Sequence, residues 1–454
     1  MFLRPVYSTT RFTLTATVGG FEPSGTVTFK DGANTLGVAS IADGAATIEV
    51  VAGLSAHTFT AVYGGDMNNL PVTSATLAVK NRIRGIDFDG DGKGDLLWRS
   101  APVGPSVYEI WLMNGTTAAT KSTGTLCGSG AVNVPGPITD LDGTGRSDYI
   151  VTVPGEGFSG TACLMQGVTS AGSGSLTGPG PYWSARWYAD LDGDGKDDIL
   201  WRNDGSDAVI PGEPPVIGAW KVGFMNGLQV ISWNDLRPDN SGWEIAETGD
   251  FNGDGKADLL WQHEDGRVSL ALMNGATVLS ELELRPAGNV WRVNFLADLN
   301  GDGKSDILWE QPDGSAVAWT MDGTTMLAEA TLVGPGATGP YLSPAGDLDG
   351  DGMDDLIWQT VPVTGNSTWS ATLMNGTVIR SQGALTAPQA TSMLAQSADL
   401  NGDGKSDLLW QNADGSTIAW IMNGLTRSSL ATLRTRGTNV PRLVPPQHST
   451  VIVP

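Results

Sequence analysis

The sequence of 454 residues has little cysteine, histidine and positive charge. Two cysteines and three histidines leave few side chains for thiol or imidazole chemistry, and 26 Lys and Arg stand against 49 Asp and Glu, which gives a net charge of −23. Because such a chain offers no positive field to phosphate groups, its composition argues against a nucleic-acid partner. No run of 18 apolar residues occurs, so we predict no membrane span.

The two cysteines, Cys127 and Cys163, lie 36 residues apart. They can form a disulfide in an exported protein, and two buried free thiols are the alternative. The disulfide is our prediction. The first residues, MFLRP, lack a basic segment that leads into an apolar one, so no signal peptide is visible in the sequence.

The first 80 residues contain none of the 16 tryptophans. Apolar and polar residues alternate in short runs at 11–18, 25–30, 46–50 and 57–63, with glycine-containing turns between them. This alternation predicts an antiparallel β-sandwich over residues 1–80. The segments GTVTFKDGANTLG and LSAHTFTAVYGGDMNN resemble the bacterial Ig-like repeat domains of surface proteins. Only residues 1–10 precede the RFTLTATV strand and Pro5 lies among them, so we expect the first strand to be short or missing.

Beyond residue 80 a unit of about 50 residues repeats. Its anchor is an acidic nine-residue loop followed by an apolar strand, and copies begin at Asp87, Asp190, Asp250, Asp298, Asp347 and Asp399, with a degraded copy at Asp140. A second signature, M-N-G or a close variant, follows each loop and ends at Gly115, Gly167, Gly227, Gly275, Gly323, Gly376 and Gly424. Four strand-sized runs per unit predict a seven-bladed β-propeller over residues 81–435, because a closed ring leaves no exposed sheet edges.

The predicted fold class is therefore all-β, an Ig-like sandwich followed by a propeller, with a closing strand and tail at residues 436–454. A tryptophan ends the apolar strand after six of the loops, at Trp98, Trp201, Trp261, Trp309, Trp358 and Trp410. These rings could form platforms for sugars. Their regular recurrence favours packing between blades instead.

The acidic loops predict metal sites. Counting from the first aspartate as offset 1, carboxylates or amides recur at offsets 1, 3, 5 and 9, and would repel one another without a cation. Oxygen-only ligands of this kind select Ca²⁺, and offset 7 needs only its backbone carbonyl. The six predicted ligand sets are Asp87, Asp89, Asp91, Lys93 and Asp95; Asp190, Asp192, Asp194, Lys196 and Asp198; Asp250, Asn252, Asp254, Lys256 and Asp258; Asp298, Asn300, Asp302, Lys304 and Asp306; Asp347, Asp349, Asp351, Met353 and Asp355; and Asp399, Asn401, Asp403, Lys405 and Asp407.

The seventh copy has Asp140, Asp142, Arg146 and Asp148, but Thr144 replaces the acid at offset 5. Whether this loop holds calcium is left open. Two similar patterns are rejected: an EF-hand needs Glu at offset 12, where these loops have tryptophan, and the G-K-S sequence at 303–305 lacks the earlier glycine of a phosphate loop. Lys304 is therefore interpreted as a solvated side chain.

The loops and their strands resemble the FG-GAP/VCBS repeats of integrin α-type propellers and of many bacterial surface proteins. The resemblance covers residues 81–435, and six loops fit it closely. It implies that each loop binds Ca²⁺ between the first two strands of a blade, and that the protein is extracellular, either secreted or on a bacterial surface.

No catalytic grouping of His57, His263 and His448 with a nucleophile can be argued from the sequence, so we predict a protein that is not an enzyme; Glu109 and Glu310 stay open as catalysts. The predicted function is adhesion or interaction with a surface protein or glycan. A lectin-like propeller and a polysaccharide-degrading propeller are the alternatives. The β-prone tail at 449–453 gives a further hypothesis, in which it completes the sandwich of another copy to form head-to-tail fibres; a frayed tail is the alternative.

Overall fold

The computed structural model describes residues 2–8, 11–32, 34–51, 57–74, 77–79, 85–99, 108–124, 134–153, 159–180, 182–205, 218–237, 242–333, 340–360, 367–435 and 442–444. The regular elements within these ranges are all β-strands, which confirms the all-β prediction. They form antiparallel sheets, two before residue 80 and seven beyond it.

Two sheets face each other in the first part of the chain. One has the order β1-β2-β5, and the other has the order β4-β3-β6-β7 with β8 also paired to β6. Their apolar positions meet in one core that includes Leu14, Val27, Phe29, Phe59 and Tyr63. The strands are β1 (Phe2–Ser8), β2 (Arg11–Thr17), β3 (Thr26–Asp31), β4 (Asn34–Ser40), β5 (Ala45–Val51), β6 (His57–Tyr63), β7 (Val72–Thr73) and β8 (Leu77–Val79).

The first strand is longer than the sequence predicted. It pairs with β2 along its whole length, from Phe2 opposite Thr17 to Ser8 opposite Arg11. Pro5 is compatible with this position because β1 is an edge strand with a single partner. The fibre hypothesis assumed that this strand was short or missing, so it loses its premise. The tail residues on which it also depended, 449–453, lie outside the described residues.

Each repeat beyond residue 80 forms one four-stranded sheet, numbered here 1 to 7 along the chain. Sheets 1 to 3 contain β9 (Leu96–Arg99), β10 (Tyr108–Asn114) and β11 (Thr117–Gly124); β12 (Val134–Thr139), β13 (Asp148–Val153), β14 (Ser159–Gln166) and β15 (Thr169–Thr177); and β16 (Trp183–Ala189), β17 (Asp198–Asn203), β18 (Trp220–Asn226) and β19 (Gln229–Arg237).

Sheets 4 and 5 contain β20 (Trp243–Gly249), β21 (Asp258–His263), β22 (Val268–Asn274) and β23 (Thr277–Arg285); and β24 (Arg292–Ala297), β25 (Asp306–Glu310), β26 (Ala316–Asp322) and β27 (Thr325–Val333). Sheets 6 and 7 contain β28 (Pro340–Gly346), β29 (Asp355–Thr360), β30 (Thr368–Asn375) and β31 (Val378–Leu385); and β32 (Met393–Ala398), β33 (Asp407–Gln411), β34 (Thr417–Asn423) and β35 (Thr426–Arg434). The fourth strand of sheet 1 is β36 (Arg442–Val444), which comes from the other end of the chain.

The apolar strand after each acidic loop packs on both of its faces. In sheet 5, Ile307 and Trp309 pack against sheet 4, whereas Leu308 packs against sheet 6. Successive side chains of a strand point to opposite faces, so a strand between two neighbours needs apolar residues without alternation. This is why the repeats contain a continuous D-L-L-W run.

The six repeated tryptophans are buried between sheets. Trp98, Trp201, Trp309 and Trp410 are fully buried, and Trp261 and Trp358 are at most 5% exposed. The packing interpretation is therefore confirmed, and these rings are not accessible as sugar platforms.

The row of sheets closes into a ring, with sheet 7 packed against sheet 1. Leu409 and Ala419 of sheet 7 share a core with Leu96 and Trp98 of sheet 1. In addition, β36 pairs with β9, from Arg442 opposite Arg99 to Val444 opposite Leu97. The strand β36 thus takes the place that a pre-loop strand takes in the other sheets.

Three arginines that the sequence patterns did not indicate lie between neighbouring sheets. Each of them ends the last strand of its sheet, here called the outer strand: Arg237 in β19, Arg285 in β23 and Arg434 in β35. The guanidinium carbon of Arg285 lies 4.8 Å from the ring centre of Trp309 in the next sheet, and that of Arg237 lies 4.4 Å from Trp261. Arg434 lies 4.3 Å from Trp98 and pairs with Glu109, which links sheet 7 to sheet 1. The available signal was an L-R pair 13 residues before the loops at Asp250 and Asp298.

Candidate metal centre

Six of the acidic loops join the first two strands of their sheets, as the loop at Asp140 joins β12 to β13 and the loop at Asp298 joins β24 to β25; the loop at Asp87 directly precedes β9. The loop glycines adopt backbone angles that other residues rarely take, with φ of 72° at Gly301 and 80° at Gly303. These angles turn two backbone N–H groups toward Asp298. Its carboxylate accepts a hydrogen bond from each, at 2.8 Å. The first aspartate therefore shapes the loop, and the same pair of bonds recurs in the other six loops.

The aspartate at offset 9 connects its loop to the M-N-G signature. Asp306 is fully buried and accepts hydrogen bonds from the N–H of Leu299 and from the N–H of Met321, both at 2.9 Å. Pairing between β25 and β26 ends at Trp319, so the Met321 N–H lies beyond that ladder. Equivalent bonds recur in all seven sheets, to Asp95, Asp148, Asp198, Asp258, Asp355 and Asp407.

Burial also perturbs these carboxyl groups. Desolvation raises the pKa of Asp306 to about 8, although its two backbone hydrogen bonds act in the opposite direction. The same cause raises the pKa of Asp95, Asp198 and Asp355 to about 8 and that of Asp148, Asp258 and Asp407 to about 7. A nearby cation stabilises the charged form of a buried acid, so these raised pKa values indicate carboxyl groups that would be stabilised by a bound cation.

The loops bring carboxylate oxygens together. In four of them, three aspartates each offer an oxygen within 4.8 Å of the others: Asp87, Asp89 and Asp95; Asp140, Asp142 and Asp148; Asp190, Asp192 and Asp194; and Asp347, Asp349 and Asp351. The degraded loop is among them despite Thr144. In the three loops with asparagine at offset 3, the amide donates to the aspartate at offset 5, at 3.1 to 3.3 Å.

This donor set fits calcium. Several hard oxygen donors, most of them charged and held on a glycine-rich loop, are the ligands that Ca²⁺ takes in proteins. Within the described residues, the Oδ1 atom of Asp349 is buried without a hydrogen-bond partner. A buried charged oxygen of this kind costs free energy unless a cation or donor reaches it.

Two hydrogen bonds link each loop to the next around the ring. The N–H at offset 8 donates to the offset 1 carbonyl of the preceding loop, as Ser305 does to Asp250 at 2.7 Å, and the M-N-G glycine donates to the offset 2 carbonyl, as Gly323 does to Phe251 at 2.8 Å. The last loop reaches the first in the same way, through Gly94 to Asp399 and Gly115 to Leu400, both at 2.6 Å. All seven junctions follow this pattern, so the loops form a continuous belt.

The lysines at offset 7 pair with nearby polar groups. Lys93 and Lys196 lie 2.5 Å from the carboxylates of Asp91 and Asp194 in their own loops. Lys304 pairs with Asp322 of the M-D-G turn, which corrects the interpretation of this lysine as merely solvated. Lys256 and Lys405 contact the turn asparagines Asn274 and Asn423.

Replacing Lys256 with methionine should change the free energy of unfolding by less than about 0.5 kcal/mol, because an exposed polar pair contributes little. Methionine occupies this offset naturally at Met353. Calcium stoichiometry should also stay the same if only the carbonyl binds. Urea unfolding and a calcium titration measure both quantities, and a variant that binds one ion fewer would show that the side chain is needed.

The other predicted features have mixed outcomes. Cys163 is disulfide-bonded, and Cys127 lies outside the described residues. His263 lies 2.7 Å from Asp265, and its ring packs at a tilt against that of Trp243, with the ring centres 5.0 Å apart. The side chain of His57 and all of His448 lie outside the described part. The described residues contain no helix long and apolar enough to cross a membrane.

A ring of four-stranded sheets, each with an acidic loop that is hydrogen-bonded to the loops of the neighbouring sheets, defines a β-propeller interaction module. Two family models match parts of the chain: residues 4–80 match a bacterial Ig-like domain (group 3), and residues 250–309 and 298–358 match an FG-GAP-like repeat. Both matches confirm the predicted order of an Ig-like domain followed by FG-GAP-like repeats.

The solved structures that match the chain are distant from it in sequence. AztD from Citrobacter koseri is 11% identical, with 94% of this chain and 100% of that chain covered at a TM-score of 0.41. The C-terminal WD40 domain of Sif2 is 11% identical, with 64% and 85% covered at 0.34. The rhamnogalacturonan lyase YesW is 13% identical, with 95% and 91% covered at 0.32. No curated protein matches the chain significantly.

Proposed function

We propose that this chain is an extracellular, calcium-stabilised adhesion module whose propeller binds a surface protein or glycan. In this proposal the chain is not an enzyme. The observation that carries the proposal is the belt of acidic loops, each of which gathers oxygen donors suited to calcium. Because the loops are linked by hydrogen bonds across every junction, an ion that orders one loop would also stabilise the loops on either side of it.

Two further observations support an extracellular setting. Cys163 is disulfide-bonded, and disulfides persist mainly in oxidising compartments. Calcium is also plentiful enough outside cells to fill sites of modest affinity. The Ig-like domain that precedes the propeller suits a stalk, since domains of this kind resemble those of bacterial surface proteins.

In this mechanism the chain's own residues prepare the binding platform. The offset 1 aspartates order the loop backbones, the offset 9 aspartates fasten the loops to the M-N-G turns, and the bound calcium supplies positive charge to carboxylates that would otherwise repel. The result is a rigid ring whose exposed loops and strands can contact a partner without first becoming ordered.

Binding of the labelled full chain to intact bacterial cells tests the proposal. We expect saturable binding in calcium buffer that is lost in excess chelator and restored by added calcium. Prior protease treatment of the cells distinguishes a protein partner, and prior glycosidase treatment together with a glycan array distinguishes a sugar. Absence of binding to all of these targets would overturn the adhesion proposal.

The enzymatic alternative has its own test. Incubation of the full chain with a panel of acidic polysaccharides in calcium buffer should release no unsaturated sugars or shortened chains. Product formation that Glu109→Gln or Glu310→Gln abolishes would contradict the assignment of a non-enzymatic module.

A further inference from the structure

The loop that begins at Asp347 differs from the other six in having no basic residue at offset 7. Offset 7 is Met353 here, whereas it is lysine or arginine in every other loop. A positive charge reaches this loop instead from Arg380 on the outer strand β31 of the same sheet. One guanidinium nitrogen of Arg380 donates to Asp349 and the other lies 2.5 Å from Asp351.

The two carboxylates held by Arg380 belong to the candidate metal site. Asp349 and Asp351 are at offsets 3 and 5, and together with Asp347 they offer oxygens within 4.8 Å of one another. The guanidinium holds both carboxylates by charge, through a charge-assisted hydrogen bond to Asp349 and an ion pair with Asp351. The same oxygens would have to turn toward calcium, so the arginine and the ion make competing demands on them.

Comparison of equivalent positions in the seven outer strands shows that only the loop at Asp347 has an arginine at this place. Arg380 is the fourth residue after the M-N-G glycine, and the residues at this place in the other sheets carry no charge: Ala119, Ala171, Ile231, Leu279, Leu327 and Ser428. Ile231, Leu279 and Leu327 are 56% to 60% exposed, and the Arg380 side chain is 39% exposed. The position faces solvent, so Arg380 is not required there for packing.

We propose that Arg380 is a built-in competitor for calcium, which makes the loop at Asp347 the weakest of the well-formed calcium sites and the last to fill. The proposal rests on the calcium binding described under the proposed function. Occupancy of this one site then depends on the calcium concentration in a range where the other loops are already loaded. By linkage, calcium binding weakens the contacts of Arg380 by the same factor by which Arg380 weakens calcium binding.

Calcium titration of the full chain by isothermal calorimetry, with bound ions counted after equilibrium dialysis, tests the proposal. Among the six well-formed loops, the wild type should show one site that is weaker than the others, and Arg380→Ala should tighten that site by about 10-fold, as expected when a bridging charge pair is removed. Arg427→Ala is the matched control, because Arg427 lies on the outer strand β35 of the next sheet and stacks on Trp420 at 4.8 Å. It should leave the titration unchanged.

Thermal melting provides a second readout that a purely structural arginine would not produce. Arg380→Ala should lower the melting temperature in chelator, where Asp349 and Asp351 lose the guanidinium that neutralises them, and should not lower it in saturating calcium. Combining Arg380→Ala with Asp351→Asn should abolish the gain in affinity. A titration of Arg380→Ala that superimposes on that of the wild type overturns the proposal. A wild type that binds no calcium in any loop overturns the proposed function itself.

Discussion

Removing calcium should lower the melting temperature of the full chain by roughly 15 °C or more. A ligand that binds only the folded state stabilises it by about 2.7 kcal/mol per site at 100 times its dissociation constant. Several such sites act on one ring, and each kcal/mol moves the melting temperature of a domain of this size by a few degrees at most. Differential scanning calorimetry in calcium and in excess chelator measures the effect.

Two controls, one for the identity of the metal and one for the domain that it stabilises, accompany this measurement. Calcium added after the chelator should restore the original transition, whereas an equal concentration of magnesium should restore it poorly, because Mg²⁺ is smaller and gives up its water ligands reluctantly. The Ig-like domain contains none of the acidic loops, so a separate transition from it should not shift. A melting temperature that is the same with and without calcium would refute structural calcium binding.

The effect of calcium removal should also grow with pH. The pKa of Asp306 is about 8 in the folded chain against an ordinary value of 3.8, so the unfolded state releases its proton first as the pH rises. The contribution of Asp306 to folding stability in chelator is therefore largest below pH 4, and it is lost as the pH rises through 8. Calcium offsets the charge that develops, so the gap between the two melting curves should be wider at pH 8 than at pH 5.

The second large effect is expected from Asp306→Ala, which should lower the free energy of unfolding by about 2–4 kcal/mol even in chelator. The substitution leaves the N–H groups of Leu299 and Met321 buried without their acceptor, and each orphaned group costs about 1–3 kcal/mol. The loop would then be detached from the M-D-G turn. Urea unfolding of the full chain measures the change.

Asp302→Ala is the matched control, since it removes a carboxylate from the same loop at offset 5. Asp302 is exposed, and alanine preserves the bonds that its backbone N–H donates to Asp298 and Asn300. The bonds that alanine removes, from the Asn300 amide and the Lys304 N–H to the carboxylate, are exposed to solvent. Its loss should therefore cost little in chelator, while both variants should lose calcium affinity. Equal destabilisation of the two variants in chelator would mean that offset 9 acts only as a metal ligand and not as a structural acceptor.

The sequence was sufficient where the information is local or repeated. Alternation in the first 80 residues predicted the sandwich, and the spacing of the acidic loops predicted one four-stranded sheet per repeat. The tryptophans were assigned to packing because they recur in six of the seven repeats, and the interface between neighbouring repeats is the structural feature that recurs in the same way. The first strand was misjudged because Pro5 was weighed without knowing that its strand lies at an edge, where only one side needs hydrogen bonds.

By itself, the sequence determined the repeat, the oxygen-rich chemistry of the loops and the continuous apolar strand that follows each of them, since all of these are written within short segments. Only the tertiary structure decided which distant groups meet: Asp306 with Met321, Gly94 with Asp399, Arg434 with Trp98, and Arg380 with the carboxylates of the Asp347 loop. The physical reason is that such contacts depend on strand register and on how one sheet faces the next. Residue spacing along the chain does not encode that geometry until the ring has closed.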